Sequence, residues 1–296
     1  MTGPRVAVGF IGTGIMGASM AGHLLAAGHP LHVFNRTRSK AEPLLARGAM
    51  WQESPAAVAS VVDVVITMLG MPDDVEQVYF GETGLLNAAR PDGLLIDMTT
   101  SRPRLAERIS AAAAAGGLDA IDAPVSGGDV GARNASLVIM VGGTEAACTR
   151  AQPLLDLLGK TVTRLGPAGS GQRCKLANQI AVAVGMVAWC EALAAAKAEG
   201  LDPVLVQQVI SGGAAGSWAM SHLAPRALAG DDAPGFLIKH LVKDIYLARE
   251  EAEAAAIDLP GLAVAERLYE ALAEAGQSDA GTQALWQHYH TSGAEA

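Results

Sequence analysis

The chain has 296 residues, of which 50% are hydrophobic and only 17% charged. That composition excludes a disordered protein, because the apolar mass offsets the entropy of ordering the chain, and the length suits about two domains. The formal net charge of -9 sets the whole-molecule field against nucleic acids, while a locally positive pocket can still take a small anion.

Aromatics are 4% of the residues, so the core must be built from Ala, Val, Leu, Ile and Met. Cys148, Cys174 and Cys190 have neither disulfide-framework nor zinc-ligand spacing, which fits a reducing cytoplasm and no metal. No segment reads as a secretion signal or a membrane span. Residues 177–190 come closest, and between Lys175 and Glu191 they read as a buried helix.

In chain order, the first half alternates β-branched runs with amphipathic stretches. Residues 6–11 read as a strand, 15–27 as a helix and 31–34 as the next strand, with a helix from about Arg38. Residues 61–69 are a nearly continuous Val/Ile run, as a strand buried on both faces requires. Further strands are expected at 94–97, 119–123, 137–141 and 162–165. The alternation predicts βαβ units in a doubly wound parallel sheet.

After Gly166 the strands stop. Gly169-Ser170-Gly171 reads as a flexible lead into one long helix that ends at Gly200, a natural C-terminal stop. Asp202-Pro203 follows as an N-cap with Pro at the first helical position. Helices near 203–210, 218–228, 238–256, 260–275 and 282–289 make the second half all-α. The expected organisation is an α/β Rossmann domain at 1–165, then an all-α domain at 166–296, joined by the long helix.

Gly12-Thr13-Gly14-Ile15-Met16-Gly17 is a GxGxxG lying between a predicted strand and a predicted helix. In that context it reads as a dinucleotide site. Gly12 permits the tight turn, Gly14 the approach of the pyrophosphate, and Gly17 close helix–strand contact. The helix N-terminus presents free N–H groups to phosphate. After the second strand comes Asn35-Arg36-Thr37, with Arg38 and Lys40 behind and no acid before Glu42. A guanidinium pairs with a 2′-phosphate where a carboxylate would repel it. NADP(H) is therefore favoured, with NAD(H) as the alternative.

Four blocks carry a family resemblance over essentially the whole length: residues 9–17, Asp122-Ala123-Pro124-Val125-Ser126-Gly127-Gly128, residues 169–179, and Lys239-His240-Leu241-Val242-Lys243-Asp244. The chain resembles the β-hydroxyacid dehydrogenases, the group that contains 3-hydroxyisobutyrate dehydrogenase and tartronate semialdehyde reductase. The resemblance implies a Rossmann domain, a long interdomain helix and an all-α domain that supplies oligomer contacts, a homodimer or homotetramer. By position, Lys175 matches the family's catalytic lysine and Asn178 the asparagine one turn on. Ser126, Gly127 and Gly128 match the loop that binds the substrate carboxylate. Thr99 and Thr100 match a polar pair near nicotinamide and substrate, Met68 and Leu69 a segment beside the cofactor, and Lys243 a lysine that reaches the cofactor. Gln179 stands where many members have a second Asn, a departure that leaves the family's chemistry in place and bears on substrate shape.

The chemistry is coherent. Hydride transfer to an aldehyde carbon builds negative charge on its oxygen, which needs a proton donor within hydrogen-bond reach. The Lys175 ammonium is a natural acid at neutral pH, and Asn178 at i+3 shares its helix face. Backbone N–H groups of the Gly127-Gly128 turn can form an anion nest for a small carboxylate. The expected reaction is reversible reduction of a short semialdehyde acid, with tartronate, methylmalonate and succinic semialdehydes as candidates. The competing readings are an imine-reducing relative, or a cofactor-binding module without catalysis. Both groups tend to lose the lysine that this chain retains.

Overall fold

The computed structural model describes residues 5–291. The first unit, Met1–Lys175, begins with β1 (Val8–Ile11), α1 (Ile15–Ala26), β2 (Leu31–Phe34), α2 (Glu42–Leu45), β3 (Met50–Trp51), α3 (Pro55–Ala59), β4 (Val64–Thr67) and α4 (Pro72–Phe80). It continues through β5 (Leu94–Asp97), α5 (Pro103–Ala115), β6 (Asp119–Asp122), β7 (Val125–Ser126), α6 (Gly128–Arg133), β8 (Leu137–Gly142), α7 (Glu145–Leu155) and β9 (Gly159–Gly166). The helix α8 (Ser170–Ala198) starts here and carries the chain into the second unit, Leu176–Ala296.

The strands lie in the order β3-β2-β1-β4-β5-β6-β8-β7, with β9 on β8. All neighbours from β3 to β6 are parallel. The strand β8 runs antiparallel to β6 and β7, and β9 runs parallel to β8. The sheet is thus a parallel Rossmann core with an antiparallel step at one side. The chain winds outward from β1 through β2 and β3, then returns to β4 on the other side of β1. A crevice for ligands opens beyond the carboxyl ends of strands at such a reversal.

Alternation places the apolar residues in two layers. Val64 and Ile66 of β4, with Leu94 and Ile96 of β5, face a core that also holds Met20 and Leu24 of α1. Val65 and Leu95 face the opposite core, with Val58, Tyr79, Leu105 and Ile109. The predicted strand at 61–69 shortens to Val64–Thr67, because Val61 falls in the turn after α3 and is 40% exposed. The two-residue strands β3 and β7 are too short to show a period in the sequence.

In the second unit, α8 is followed by α9 (Pro203–Ser211), α10 (Trp218–His222), α11 (Ala224–Leu228), α12 (Ile238–Ala254), α13 (Pro260–Leu272) and α14 (Leu285–Thr291). The predicted helix at 218–228 is two helices, because Pro225 cannot extend a helix that comes from its N-terminal side. Met186, Trp189, Cys190 and Leu193 of α8 fill the core with Leu241, Ile245 and Tyr269, and Trp189 stacks on Trp286 at 6.3 Å. By length and composition α8 could cross a membrane, but these residues make it the central helix of this core. Ala177, Ala181, Ala188 and Ala192 on its other side are exposed.

Candidate active site

The loop between β1 and α1 is built by close backbone contacts. Gly12 has φ +98°, and a side chain there would meet the Met68 carbonyl oxygen at 2.1 Å. A Cβ on Gly17 would lie 1.9 Å from the Gly12 carbonyl oxygen. At Gly14, in contrast, an added Cβ meets nothing within 4 Å. The α1 N-terminus has no side-chain cap, Ile15 at its start is 55% exposed, and Met16 lies partly against the core. Thr13 Oγ1 is buried yet hydrogen-bonds to none of the described residues. Open space at Gly14, uncapped N–H groups and an orphaned buried hydroxyl fit a pyrophosphate, whose oxygens would take those donors.

The end of β2 is tied to this loop. The Thr13 N–H donates to Asn35 Oδ1 at 2.9 Å, and Asn35 Nδ2 donates to the Thr37 carbonyl at 2.8 Å. Asn35 is thus a strut that leaves Arg36 projecting, with its side chain 86% exposed. Arg36 Nη1 pairs with Asp74 Oδ1 at 3.0 Å. The Arg38 guanidinium lies 5.0 Å from the Trp51 ring centre and within 3.8 Å of Glu53.

At the ends of β4 and β5 a buried polar network holds the next two segments. Thr67 Oγ1 donates to Asp97 Oδ1 at 2.8 Å, the Tyr79 hydroxyl lies 3.1 Å from Thr67 Oγ1, and the Thr99 N–H donates to Asp97 Oδ1 at 3.1 Å. Thr99 Oγ1 in turn accepts from the Leu69 N–H at 2.8 Å. The predicted segments Met68-Leu69 and Thr99-Thr100 are therefore joined to each other. Burial pushes the Asp97 carboxyl from 3.8 up to about 6, against the hydrogen bonds from Thr67 and Thr99 that favour its ionised form.

One strand further, Asp122 ends β6 and is buried. Its Oδ1 accepts from the Gly169 N–H at 2.7 Å and its Oδ2 from the Gln172 N–H at 2.8 Å. Burial raises its pKa, and the backbone N–H groups of Gly169 and Gln172 oppose that rise. Asp122 thus caps the α8 N-terminus from a distant strand, where a carboxylate also meets the positive end of the helix dipole. This overturns the flexible lead expected at 169–171: a Cβ on Gly171 would meet the Met140 carbonyl oxygen at 2.4 Å and Asp122 Oδ2 at 2.8 Å. The glycine is there for close contact, not slack. Lys175 follows on α8 and is only 7% exposed. Ser126 ends β7, and Gly127 and Gly128 have φ +126° and +60°, a backbone that side chains rarely adopt.

In the second unit, two predicted residues are linked through two others. Asn178 Nδ2 donates to Gln179 Oε1 at 2.8 Å, and Gln179 Nε2 donates to Asp244 Oδ2 at 2.6 Å. Lys243 Nζ lies 2.8 Å from Asp244 Oδ1. Gln179, Asp244 and Lys243 are all buried. Among the described residues, no group of three or more His, Cys, Asp or Glu side chains could hold a metal ion.

Known proteins match both halves of this arrangement. Residues 7–166 match the NAD binding domain of 6-phosphogluconate dehydrogenase. Residues 169–289 match the family described as NAD-binding of NADP-dependent 3-hydroxyisobutyrate dehydrogenase. An oxidoreductase of Bacillus subtilis (strain 168) is 49% identical over 280 residues, 95% of this chain and 97% of that one. The 2-hydroxy-3-oxopropionate reductase of Escherichia coli (strain K12) is 41% identical over 280 residues, 95% of this chain and 96% of the reductase. The chain belongs to the β-hydroxyacid dehydrogenase family. A solved structure of Mycobacterium tuberculosis 3-hydroxyisobutyrate dehydrogenase with L-serine is similar to it, with TM-score 0.88 and 32% identity over 96% of this chain and 99% of that one.

This dehydrogenase is therefore an NAD(P)-dependent oxidoreductase of the hydroxyacid class. Its fold adds site-supporting residues that sequence reasoning did not single out. Asp97, Asp122, Gln172 and Asp74 carry no spacing signal, since each acts across the tertiary structure. In the sequence, Asp97 ends the expected strand at 94–97 and Asp122 opens the block at 122–128, but only the structure shows that both are buried at the ends of paired strands. Asp244, the last residue of the fourth block, lies 2.8 Å from Lys243 Nζ and accepts from Gln179 Nε2.

Proposed function

We propose that the protein catalyses reversible hydride transfer between NADP(H) and a short semialdehyde acid or its β-hydroxyacid. The observation that carries this reading is Lys175: a buried lysine on a helix whose first turn is bonded to the carboxyl end of β6. A bound nicotinamide supplies or takes the hydride. Lys175 gives its proton to the developing alkoxide on reduction and takes one back on oxidation. Asn178, one turn on, orients the reacting oxygen. The N–H groups around Ser126, Gly127 and Gly128 bind the substrate carboxylate. Thr99 and Thr100, with Met68 and Leu69, are the proposed lining beside the nicotinamide and substrate. Gly12 to Met16 take the pyrophosphate, Asn35, Arg36 and Thr37 the adenosine ribose and its 2′-phosphate, and Lys243 is the proposed cofactor contact from α12.

The L-serine in the Mycobacterium tuberculosis structure is itself a small β-hydroxyacid, and the Escherichia coli relative is named for reduction of a short oxo acid. Both support the substrate class. Arg36 and the NADP-dependent family that matches the second half support NADP(H). Exposed Ala177, Ala181, Ala188 and Ala192 on α8, with Val204, Leu205 and Val209 on α9, support a homodimer or homotetramer. Light scattering of the purified protein reads its number.

The deciding experiment is initial rates with NADPH and NADH over tartronate, methylmalonate and succinic semialdehydes, with Lys175→Ala alongside. Turnover that depends on Lys175 supports the reaction, and the fastest substrate names it. Undiminished turnover in Lys175→Ala removes the lysine from the chemistry, and no turnover on any substrate overturns the proposed class.

A further inference from the structure

Gln172 is fully buried on α8, one turn before Lys175. Its side-chain Oε1 accepts from the Ser101 N–H at 2.8 Å, and its Nε2 donates to the Thr99 carbonyl at 2.7 Å. Its own backbone N–H donates to Asp122 Oδ2 at 2.8 Å. One residue is thus held by the segment after β5 and by the last residue of β6. The two ends of its amide have opposite requirements: a donor faces a carbonyl, and an acceptor faces an N–H. Neither a carboxylate nor a thioether satisfies both.

This geometry fixes more than a local contact. The three bonds set the rotation and the axial position of the first turn of α8 against the carboxyl edge of the sheet. Lys175 is on the next turn of the same helix and inherits that setting. Thr99 and Thr100, on the segment that Gln172 grips, inherit it from the other side. Thr99 is further pinned by Asp97 and by the Leu69 N–H. We propose that Gln172 is a positioning residue that holds Lys175 and the Thr99-Thr100 segment in one frame, with Asp122 as its fixed point. The inference rests on the proposed catalytic role of Lys175.

An apolar residue of similar volume, such as Met, would fill the same space. It would leave the Ser101 N–H and the Thr99 carbonyl without these partners, and the chain would relax to recover them. Displacement on the order of 1 Å at a catalytic group costs about 100-fold in rate. A residue that only fills the core would instead lower the fraction of folded protein and leave each folded site as fast as before.

The test is a double-mutant cycle with Gln172→Met, Lys175→Ala and the double variant, assayed on the fastest semialdehyde of the panel. NADPH binding by fluorescence titration counts competent sites. Gln172→Met is expected to bind NADPH with a Kd within about threefold of the parent. Its kcat per NADPH-binding site is expected to fall about 100-fold with little change in KM. In the Lys175→Ala background the same substitution is expected to change kcat by less than about threefold, because a residue acting through Lys175 has nothing left to position. Hydrogen exchange over residues 99–103 is expected to rise in Gln172→Met.

Full additivity of the two substitutions overturns the proposal, as does an unchanged kcat per binding site in Gln172→Met. If Gln172→Met binds no NADPH, Gln172→Glu decides by the same thresholds, since it keeps the acceptor for Ser101 and loses only the donor to Thr99. Undiminished turnover in Lys175→Ala with the parent clamp intact defeats the catalytic assignment instead, so the two failures are told apart.

Discussion

Arg36 and Asp74 form an ion pair of 3.0 Å that joins the second residue after β2 to the first turn of α4. Both groups are reached by solvent, so the pair itself contributes about 0.2–1 kcal/mol. On the proposed assignment of Arg36 to the 2′-phosphate, the pair bears on specificity. A 2′-phosphate would share the guanidinium with Asp74 and meet its negative charge, whereas the 2′-hydroxyl of NADH could donate to the Asp74 carboxylate. Asp74→Asn should therefore raise the ratio of kcat/KM for NADPH over NADH by about three- to tenfold. Arg36→Ala should lower it by about ten- to 100-fold, the range of a charge-assisted hydrogen bond. A ratio unmoved by Arg36→Ala would assign the 2′-phosphate to other residues.

The glycines of the first loop separate folding from binding. An Ala at position 17 would bring its methyl to 1.9 Å from the Gly12 carbonyl oxygen, so α1 must move away from β1. Gly17→Ala should cost about 3 kcal/mol or more, seen as a lower urea midpoint. Gly14→Ala places its methyl in open space at a φ of -73°, which Ala adopts freely. That variant should keep its Tm within about 2 °C and still bind NADPH at least tenfold more weakly, because the methyl takes the space of the pyrophosphate. Unchanged NADPH affinity in Gly14→Ala would move the cofactor away from this loop.

How much of this was legible follows from range along the chain. The strand–GxGxxG–helix unit is local, and its glycines announce the backbone contacts they permit. Lys175 and Asn178 share a helix face by spacing alone. The Arg36–Asp74 pair was not legible, because the search for an acid after β2 runs along the chain while Asp74 arrives through space from α4. The same holds for Gln172, whose partners Thr99 and Ser101 belong to a different strand end. In the sequence the glycines at 169 and 171 read as slack, because a glycine signals freedom and close contact with the same letter. Only the Met140 carbonyl and Asp122 beside Gly171 decide between them.

Asp97 gives the stability a pH dependence of defined sign. Burial raises its carboxyl from 3.8 to about 6 in the folded protein. The native state therefore keeps a proton in a range where the unfolded chain has released it. This contribution to stability is fully present below pH 3.8 and is lost as the pH rises through about 6, a change of about 3 kcal/mol. Asp97→Asn keeps an acceptor oxygen for Thr67 and the Thr99 N–H but cannot titrate. Urea unfolding should show the parent losing stability relative to Asp97→Asn between about pH 4 and pH 7. A difference that is constant across that range would mean that Asp97 keeps its ordinary pKa in the folded chain.

Gln179 closes the link between Asn178 and the buried Lys243–Asp244 pair. Its Nε2 satisfies one carboxylate oxygen of Asp244 while Lys243 lies beside the other. Gln179→Leu is similar in size but leaves Asp244 Oδ2 without this donor and frees the Asn178 amide. An unsatisfied buried polar group costs about 1–3 kcal/mol, more when it is charged. Gln179→Asn keeps the amide but is one methylene shorter, so it cannot reach Asp244 and Asn178 from the same backbone position. Both variants should therefore lose stability, with Leu losing more than Asn. Both should lower kcat more than they change the Kd for NADPH, since the residue they release is Asn178. If Gln179→Asn restored full stability and full kcat, the hydrogen bond to Asp244 would be dispensable, and Asn178 would be oriented by the helix alone.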